Sequence, residues 1–200
     1  MNINRFSLFI VPSLLCGHAN VMHAQAEKGE QKKNVLFLIM DDMRTELNCY
    51  GAKYMKTPNM DALASQGVMF ENAYCNVPVS GASRASLFSG LRPGQTRFWD
   101  VNAEIDREAP GTVTLPQYFR ENGYVTISNS KVIHGKNDAK ERSWTEVWMP
   151  EGKSETWRDY LGDENLSVEK QRGGPEPFEC LDVADNAYFD GKTADKTMEN

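Results

Sequence analysis

A run of apolar residues near the start of the chain constrains the fold more than any other feature. It covers residues 34–40, where six apolar side chains follow Asn34 without a break, and it ends abruptly at Asp41 and Asp42. An uninterrupted run of this length is typical of a strand buried on both faces, as in a parallel sheet. Because parallel strands require crossover connections, usually helices, the run predicts an α/β fold.

Between residues 57 and 128 the sequence alternates between helix and strand signals. Thr57 and Thr114 are suited to cap helices, and each is followed by a proline within the first two helical positions. The expected elements are helices over 57–65, 83–88 and 114–122, and strands over 68–74 and 124–128. This alternation predicts a largely parallel central sheet.

The tail, residues 136–200, has a different composition. It holds 25 charged residues among 65, with no isoleucine and only three leucines. Such a segment can hardly bury a core of its own, so we expect long polar loops over a core that lies elsewhere. The last five residues resemble the opening turns of a helix, and we therefore expect 27–200 to be the N-terminal part of a larger catalytic domain.

The first 26 residues are typical of an export signal. Arg5 is their only charged side chain, residues 6–15 are mostly apolar, and Ala24 and Ala26 supply the small-x-small cleavage pattern. The apolar stretch is too short for a stable membrane span. We expect cleavage after Ala26 and a periplasmic or secreted protein. A lipid anchor at Cys16, or a retained N-terminal anchor, is the alternative.

Charge and residue counts exclude several classes of function. A net charge of −6 argues against a non-specific nucleic-acid binder, which needs a basic surface. Of the three histidines, His18 and His23 lie in the predicted signal, which leaves His134 alone and excludes a multi-histidine zinc site. Three cysteines remain after cleavage, and the sequence does not assign a disulfide among them: Cys49, Cys75 and Cys180.

Two adjacent carboxylates, Asp41 and Asp42, follow the predicted first strand. Ligands of open α/β sheets bind outside the carboxyl ends of the strands. The two acids repel each other unless a cation compensates them, and hard divalent cations prefer oxygen ligands. A metal site is one interpretation, and two solvated acids at a strand exit are the other.

Ser80 and Arg84 are the second candidate pair. Small residues surround Ser80, the helix that follows offers backbone N–H groups to an anion, and Arg84 can form bidentate bonds to an oxyanion. The plainer interpretation is a polar helix N-terminus. A serine-hydrolase elbow over 81–85 is disfavoured, because alanine replaces its last glycine.

Lys131 and His134 form the third candidate pair, directly after the last predicted strand. Three residues apart on a tight turn, both side chains can face one pocket, where a lysine holds an anion and a neutral imidazole moves a proton. A solvated lysine beside a structural histidine is the alternative.

Taken together, these elements resemble the sulfatase family of the alkaline-phosphatase-like superfamily. The family signature is Cys or Ser, any residue, Pro or Ala, any residue, then Arg, and residues 80–84 fit its serine form. Residues 96–100 and 115–124 look most like the iduronate-2-sulfatase branch, as does the Lys-Val-x-His pattern of Lys131 and His134. Further matching segments are 34–42, 56–64, 70–74 and 89–93.

The resemblance implies a chemistry and a role for each candidate. Ser80 would be oxidised to formylglycine by a serine-type maturase, and its hydrate would attack the sulfate sulfur. Asp41, Asp42 and residue 80 would ligate calcium. Arg84 would stabilise the hydrate, Lys131 would bind sulfate, and His134 would assist the collapse of the sulfated intermediate.

The implied substrate is a sulfated saccharide, and the implied reaction is hydrolysis of its sulfate ester. Family members also draw metal and sulfate ligands from their second halves, and no candidate for these follows Gly135 in this sequence. We therefore expect the chain as written to hold half of a site and to show no turnover by itself. A catalytically inactive relative that binds anionic saccharides is the alternative function.

Overall fold

The computed structural model describes residues 32–151, 160–168, 174 and 178–200. The chain divides after residue 38, and the second unit, 39–200, is compact. The predicted export signal, 1–26, lies outside the described residues. Among those that are described, no helix is both long enough and apolar enough to cross a membrane.

The second unit contains seven helices and two strands in its described part. The helices are α1 (Pro58–Gln66), α2 (Ser80–Ser89), α3 (Ile105–Glu108), α4 (Leu115–Glu121), α5 (Lys140–Ser143), α6 (Asp163–Val168) and α7 (Phe189–Glu199). The strands are β1 (Ile127–Asn129) and β2 (Glu146–Trp148), and two 3₁₀ turns lie at Asn48–Tyr50 and Asp185–Ala187.

The sheet is parallel, as the alternation of elements predicted, but it is small. β1 pairs with β2 so that Ser128 lies opposite Val147, with α5 in the crossover between them. β1 begins three residues later than the expected strand, 124–128. β2, α5, α6 and α7 lie in the polar tail, which therefore contains helices and a strand as well as the expected loops. Backbone pairing with β1 orders β2, although that segment has little apolar content.

Two expected strands are absent from the described residues. Residues 34–40 form no strand, and the side chains of 35–38 are all more than half exposed. Residues 68–74 also lack strand structure, and Val68 and Tyr74 are almost fully exposed. The apolar patterns are present, but a strand is stabilised by backbone pairing with a neighbour. None of the described residues supplies that pairing to either segment.

The helix predictions were closer to the structure. α1 begins after Thr57, as expected, and α4 begins with a complete capping box, in which Thr114 and Gln117 bond each other's backbone amides. α2 ends at Gly90, which adopts a left-handed conformation with φ of 70°. It begins at Ser80 rather than Ser83, and this difference places the signature serine on the helix itself.

The small apolar core of the second unit forms around α2. α2 contributes Ala82, Ala85 and Phe88, which are three residues apart and therefore share one face of the helix. Phe98 and Ile105, both completely buried, pack against that face from the segment that follows α2. α2 is therefore held on its inner side by residues 98–109, and its first turn projects the signature residues beside this core.

Candidate active site

Ser80 and Arg84 lie on the same face of α2 because they are four residues apart in the helix. The Arg84 Nε donates a hydrogen bond to the Ser80 Oγ at 3.3 Å. The guanidinium is almost completely buried, and its Nη1 donates to the carbonyl oxygens of Val132 at 2.7 Å and Lys131 at 3.2 Å. The signature spacing thus has a geometric reason: one helical turn brings arginine to serine.

Asp41 reaches the same serine from a segment far away in sequence. The Ser80 Oγ donates to the Asp41 Oδ1 at 3.0 Å, and the Arg84 Nη2 lies 3.3 Å from the same oxygen. The Lys131 Nζ forms an ion pair with the other carboxylate oxygen, Oδ2. Three separate segments of the chain therefore meet at one carboxylate and one hydroxyl.

These partners shift the pKa of Asp41. Partial burial raises the pKa, but hydrogen bonds from Lys131 and Ser80, together with the positive charges of Lys131 and Arg84, outweigh that effect and lower it to about 2. The carboxylate is therefore ionised at every pH at which the protein is expected to work.

Acidification should weaken the contribution of Asp41 to stability. Its pKa in the fold is about 2, against 3.8 without these partners, so the contribution is fully present above pH 3.8 and is lost as the pH falls towards 2. Urea unfolding of the native chain and of Asp41→Asn should show a stability difference that shrinks over this interval. Asp182→Asn, at an exposed carboxylate, is the matched control. A difference that does not change with pH would contradict the assignment.

His134 lies near these charges but is not bonded to them. Burial lowers its pKa, and the positive charges of Lys131 and Arg84 lower it further, against an opposing effect of Asp41. Its Nδ1 is buried and has no hydrogen-bond partner among the described residues. The imidazole is therefore neutral near pH 7 and has a ring nitrogen available for a proton.

Asp42 does not join this cluster. It is exposed, adopts a left-handed backbone conformation with φ of 53°, and makes no hydrogen bond or ion pair within the described part of the chain. Aspartate tolerates this conformation better than most residues. The structure thus brings together Asp41, Ser80, Arg84 and Lys131, places His134 close by, and leaves Asp42 at the surface.

The residues present offer the type of donor atom that calcium prefers, but too few of them to hold the ion. Asp41 and Ser80 offer oxygen donors side by side, which is the chemistry that calcium prefers. Calcium takes six to eight oxygens, and the described residues contain no cluster of three or more His, Cys, Asp or Glu that could hold a metal. Asp41 is also already compensated by two cations, Arg84 and Lys131.

One residue of the site was not singled out from the sequence. Gly81 follows the serine, and a Cβ atom there would lie 2.0 Å from the backbone oxygen of Val101. The signature allows any residue at this position, so only the glycine itself could have signalled a close approach. The turn that carries Val101 is held by Asp100, whose carboxylate accepts from the Asn102 N–H at 2.8 Å.

The fold and the site together define a class of protein. A parallel α/β chain that gathers a guanidinium, an ammonium and a carboxylate around one serine hydroxyl is suited to chemistry on an oxyanion ester. The sequence model of the family named Sulfatase matches residues 33–200. The chain belongs to the sulfatase family, and its domain has the alkaline-phosphatase-like fold.

Curated relatives agree with this assignment. Iduronate 2-sulfatase of Homo sapiens is 46% identical over 110 residues, which are 55% of this chain and 20% of the relative. Iduronate 2-sulfatase of Mus musculus is 44% identical over 111 residues, covering 56% and 20%. The N-acetylglucosamine-6-O-sulfatase of Bacteroides thetaiotaomicron is 33% identical over 110 residues, covering 54% and 19%. The chain thus spans about a fifth of the length of the relatives it matches.

Proposed function

We propose that this chain provides part of the active site of a sulfatase that removes sulfate esters from carbohydrates, in the manner of iduronate 2-sulfatase. The observation that carries the proposal is the convergence of Asp41, Arg84 and Lys131 around the hydroxyl of Ser80. Family membership supports the reaction class, and the similarity to iduronate 2-sulfatases supports the carbohydrate substrate.

Ser80 is the residue that we propose to be oxidised to formylglycine. Once hydrated, that aldehyde would carry two hydroxyl groups on one carbon, so that one oxygen could bond to the sulfate sulfur while the other restores the aldehyde and releases sulfate. The maturase is of the serine type, because residue 80 is serine, and it reads the alanine and the arginine two and four residues further on. Arg84 holds residue 80 in place from the same helix face, with a guanidinium that two carbonyl oxygens fix in turn.

Lys131 and His134 have different tasks in this proposal. The Lys131 side chain is 42% exposed, so its ammonium group can contact a sulfate that arrives from solvent while it remains paired with Asp41. His134 is neutral and has an unpartnered Nδ1, so it can accept a proton and return it. Both side chains reach the site from one short loop.

We further propose that Asp41, Asp42 and residue 80 contribute to a calcium site. Asp41 and Ser80 supply oxygen atoms at the centre of the cluster, and Asp42 is the adjacent carboxylate. A bound calcium ion would supply positive charge to a sulfate group. Export to the periplasm or the exterior is proposed as well, on the basis of the signal pattern in the first 26 residues.

The decisive experiment is to locate the modification. When the chain is produced together with a serine-competent maturase, peptide mass spectrometry should show the loss of two hydrogens at Ser80. The reason is that only this serine has alanine two residues and arginine four residues further on. The readout does not depend on turnover, so it applies to the chain as it stands.

Two variants serve as controls for this experiment. Ser83→Ala alters a neighbouring serine on the same helix and should leave the conversion unchanged, whereas Ser80→Ala should abolish it. An unmodified Ser80 in a preparation where the maturase converts a known serine-type substrate would refute the proposal. Conversion at Ser83 would also refute it.

A further inference from the structure

Lys131 and His134 are carried by one irregular loop, residues 130–138, which we call the 130–138 loop. Its first residue, Ser130, has a left-handed backbone with φ of 65° and donates its N–H to the Trp148 carbonyl at 2.8 Å. The next two carbonyl groups accept hydrogen bonds from the buried Arg84. The beginning of the loop is therefore attached both to β2 and to the signature helix α2.

The end of the loop is attached by Asp138. This carboxylate is 93% buried, and both of its oxygens accept backbone hydrogen bonds from the start of α3: Oδ2 from Ile105 N–H and Oδ1 from Asp106 N–H, each at 2.9 Å. The carboxylate thus satisfies two amide groups that a short helix leaves unpaired. The space is tight, since a Cβ atom on Gly135 would lie 3.1 Å from the Asp138 Cβ.

Asp106 makes the reciprocal connection. Its Oδ2 accepts the N–H of Ala139 at 2.8 Å, and its Oδ1 pairs with Arg142 at 2.6 Å. Asp138 and Asp106 therefore exchange hydrogen bonds with each other's backbone segments. The start of α3 and the end of the 130–138 loop are joined by three backbone amides in all.

The start of α3 is itself fixed relative to Ser80. Ile105 is completely buried in the core around α2, and the turn just before it places the Val101 carbonyl against Gly81. These contacts connect four segments in a ring. α2 packs against the 98–103 turn, and this turn leads into α3. α3 bonds to Asp138 of the 130–138 loop, and the loop bonds to Arg84 of α2. In this ring of contacts, Asp138 is the loop residue whose side chain bonds to α3.

We infer that Asp138 is a positioning residue, which sets where Lys131 and His134 stand relative to Ser80 by anchoring their loop on the start of α3. The inference depends on the proposed function, because the roles of Ser80, Lys131 and His134 are part of that proposal. Asp138 itself makes no hydrogen bond or ion pair with Ser80, Arg84 or Lys131 within the described residues, so it acts through the loop.

The test measures the placement of His134 directly. The pKa of the His134 ring is read from nuclear magnetic resonance spectra of the full chain across pH, and its signal is assigned by its loss in His134→Ala. In the native chain the pKa should lie below the ordinary value of about 6.5. Asp138→Asn keeps the shape of the side chain but turns one acceptor into a donor that faces an N–H, so the loop should detach and the pKa should rise towards 6.5.

The variants separate positioning from mere stability. Asp138→Glu keeps the charge but adds a methylene group where there is no room, so it should raise the His134 pKa as Asp138→Asn does. Glu179→Gln is the matched control, because Glu179 also accepts two backbone amides, from Leu161 and Gly162, but neither Glu179 nor its partners belong to the 130–138 loop or to α3. It should lower the unfolding midpoint and leave the His134 pKa unchanged.

A native His134 pKa in both folded Asp138 variants would overturn the inference, as would a shift of equal size in Glu179→Gln. If neither Asp138 variant folds, hydrogen exchange of the native chain decides. The amides of Ile105 and Asp106, which donate to Asp138, should then open together with the Asp138 amide, which donates to the Gly135 carbonyl within the loop. Independent opening of the Asp138 amide would overturn the inference. None of these measurements needs turnover. If the His134 pKa depends on Asp138 but Ser80 is never converted, the proposed function is refuted and the inference about Asp138 stands.

Discussion

Replacing Gly81 with alanine is expected to destabilise the protein by about 3 kcal/mol, the upper part of the usual range for overpacking. The new methyl group would meet the Val101 backbone at 2.0 Å from its oxygen and 2.6 Å from its carbonyl carbon. Backbone atoms cannot rotate away as a side chain can, so either the turn or the helix must move. Because Ser80 precedes Gly81 in the first turn of α2, movement of the helix would also displace the hydroxyl from Asp41.

The sign of this effect is the discriminating observation. Alanine is a better helix former than glycine by about 1 kcal/mol, so helix propensity alone predicts that Gly81→Ala stabilises the protein. Gly94→Ala is the matched control, since a Cβ atom at Gly94 meets nothing within 4 Å. Urea unfolding of both variants gives the comparison. A Gly81→Ala protein as stable as the native chain would show that Val101 does not approach α2 as closely as described.

Replacing Arg84 with methionine should have an effect of similar size on stability, again about 3 kcal/mol, because it removes a buried guanidinium that bonds two backbone carbonyl oxygens as well as the partly exposed Asp41 carboxylate. Methionine fills a similar volume but leaves the carbonyl oxygens of Lys131 and Val132 without their donor. Among the described residues, it also leaves Asp41 with Lys131 as its one remaining cation. In a form of the enzyme that turns over, the variant should be inactive, because residue 80 and the 130–138 loop lose their common support.

Arg84→Lys and Arg44→Met complete this experiment. Lysine keeps the charge but not the planar set of donors, so Arg84→Lys should recover only part of the lost stability. Arg44 pairs with Glu46 at the surface, and its side chain is 81% exposed. Its replacement should leave the unfolding curve unchanged. Equal losses in Arg84→Met and Arg44→Met would show that the buried contacts of Arg84 contribute nothing specific.

The helices that the sequence predicted, α1, α2 and α4, were predictable because their signals are local, whereas α3, α5 and α6 were not predicted. The capping box at Thr114 involves residues three apart, and the left-handed Gly90 ends α2 through a bond to a carbonyl four residues earlier. The contact between Ser80 and Arg84 is local too, although the expected helix began at Ser83 and did not include Ser80. These features depend on short stretches of chain whose geometry is nearly independent of the rest.

The strands were less predictable because their stability is not local. The apolar pattern of residues 34–40 specifies what a buried strand would need, but it cannot supply the neighbouring backbone. In the described residues this segment is unpaired and largely exposed. Conversely, β2 arises within a polar tail because β1 offers it a paired backbone.

The sequence by itself indicated the family and supplied the candidate site residues, but its predicted helix began at Ser83 and left Ser80 outside. Only the tertiary structure decided which of those candidates meet: Asp41 reaches Ser80 and Asp42 does not. It also decided two contacts without a local signal, the Val101 carbonyl on Gly81 and the Asp138 carboxylate on the amides that begin α3. The physical reason is that each of these contacts joins groups 20 or more residues apart, and their approach is set by the packing of the whole unit.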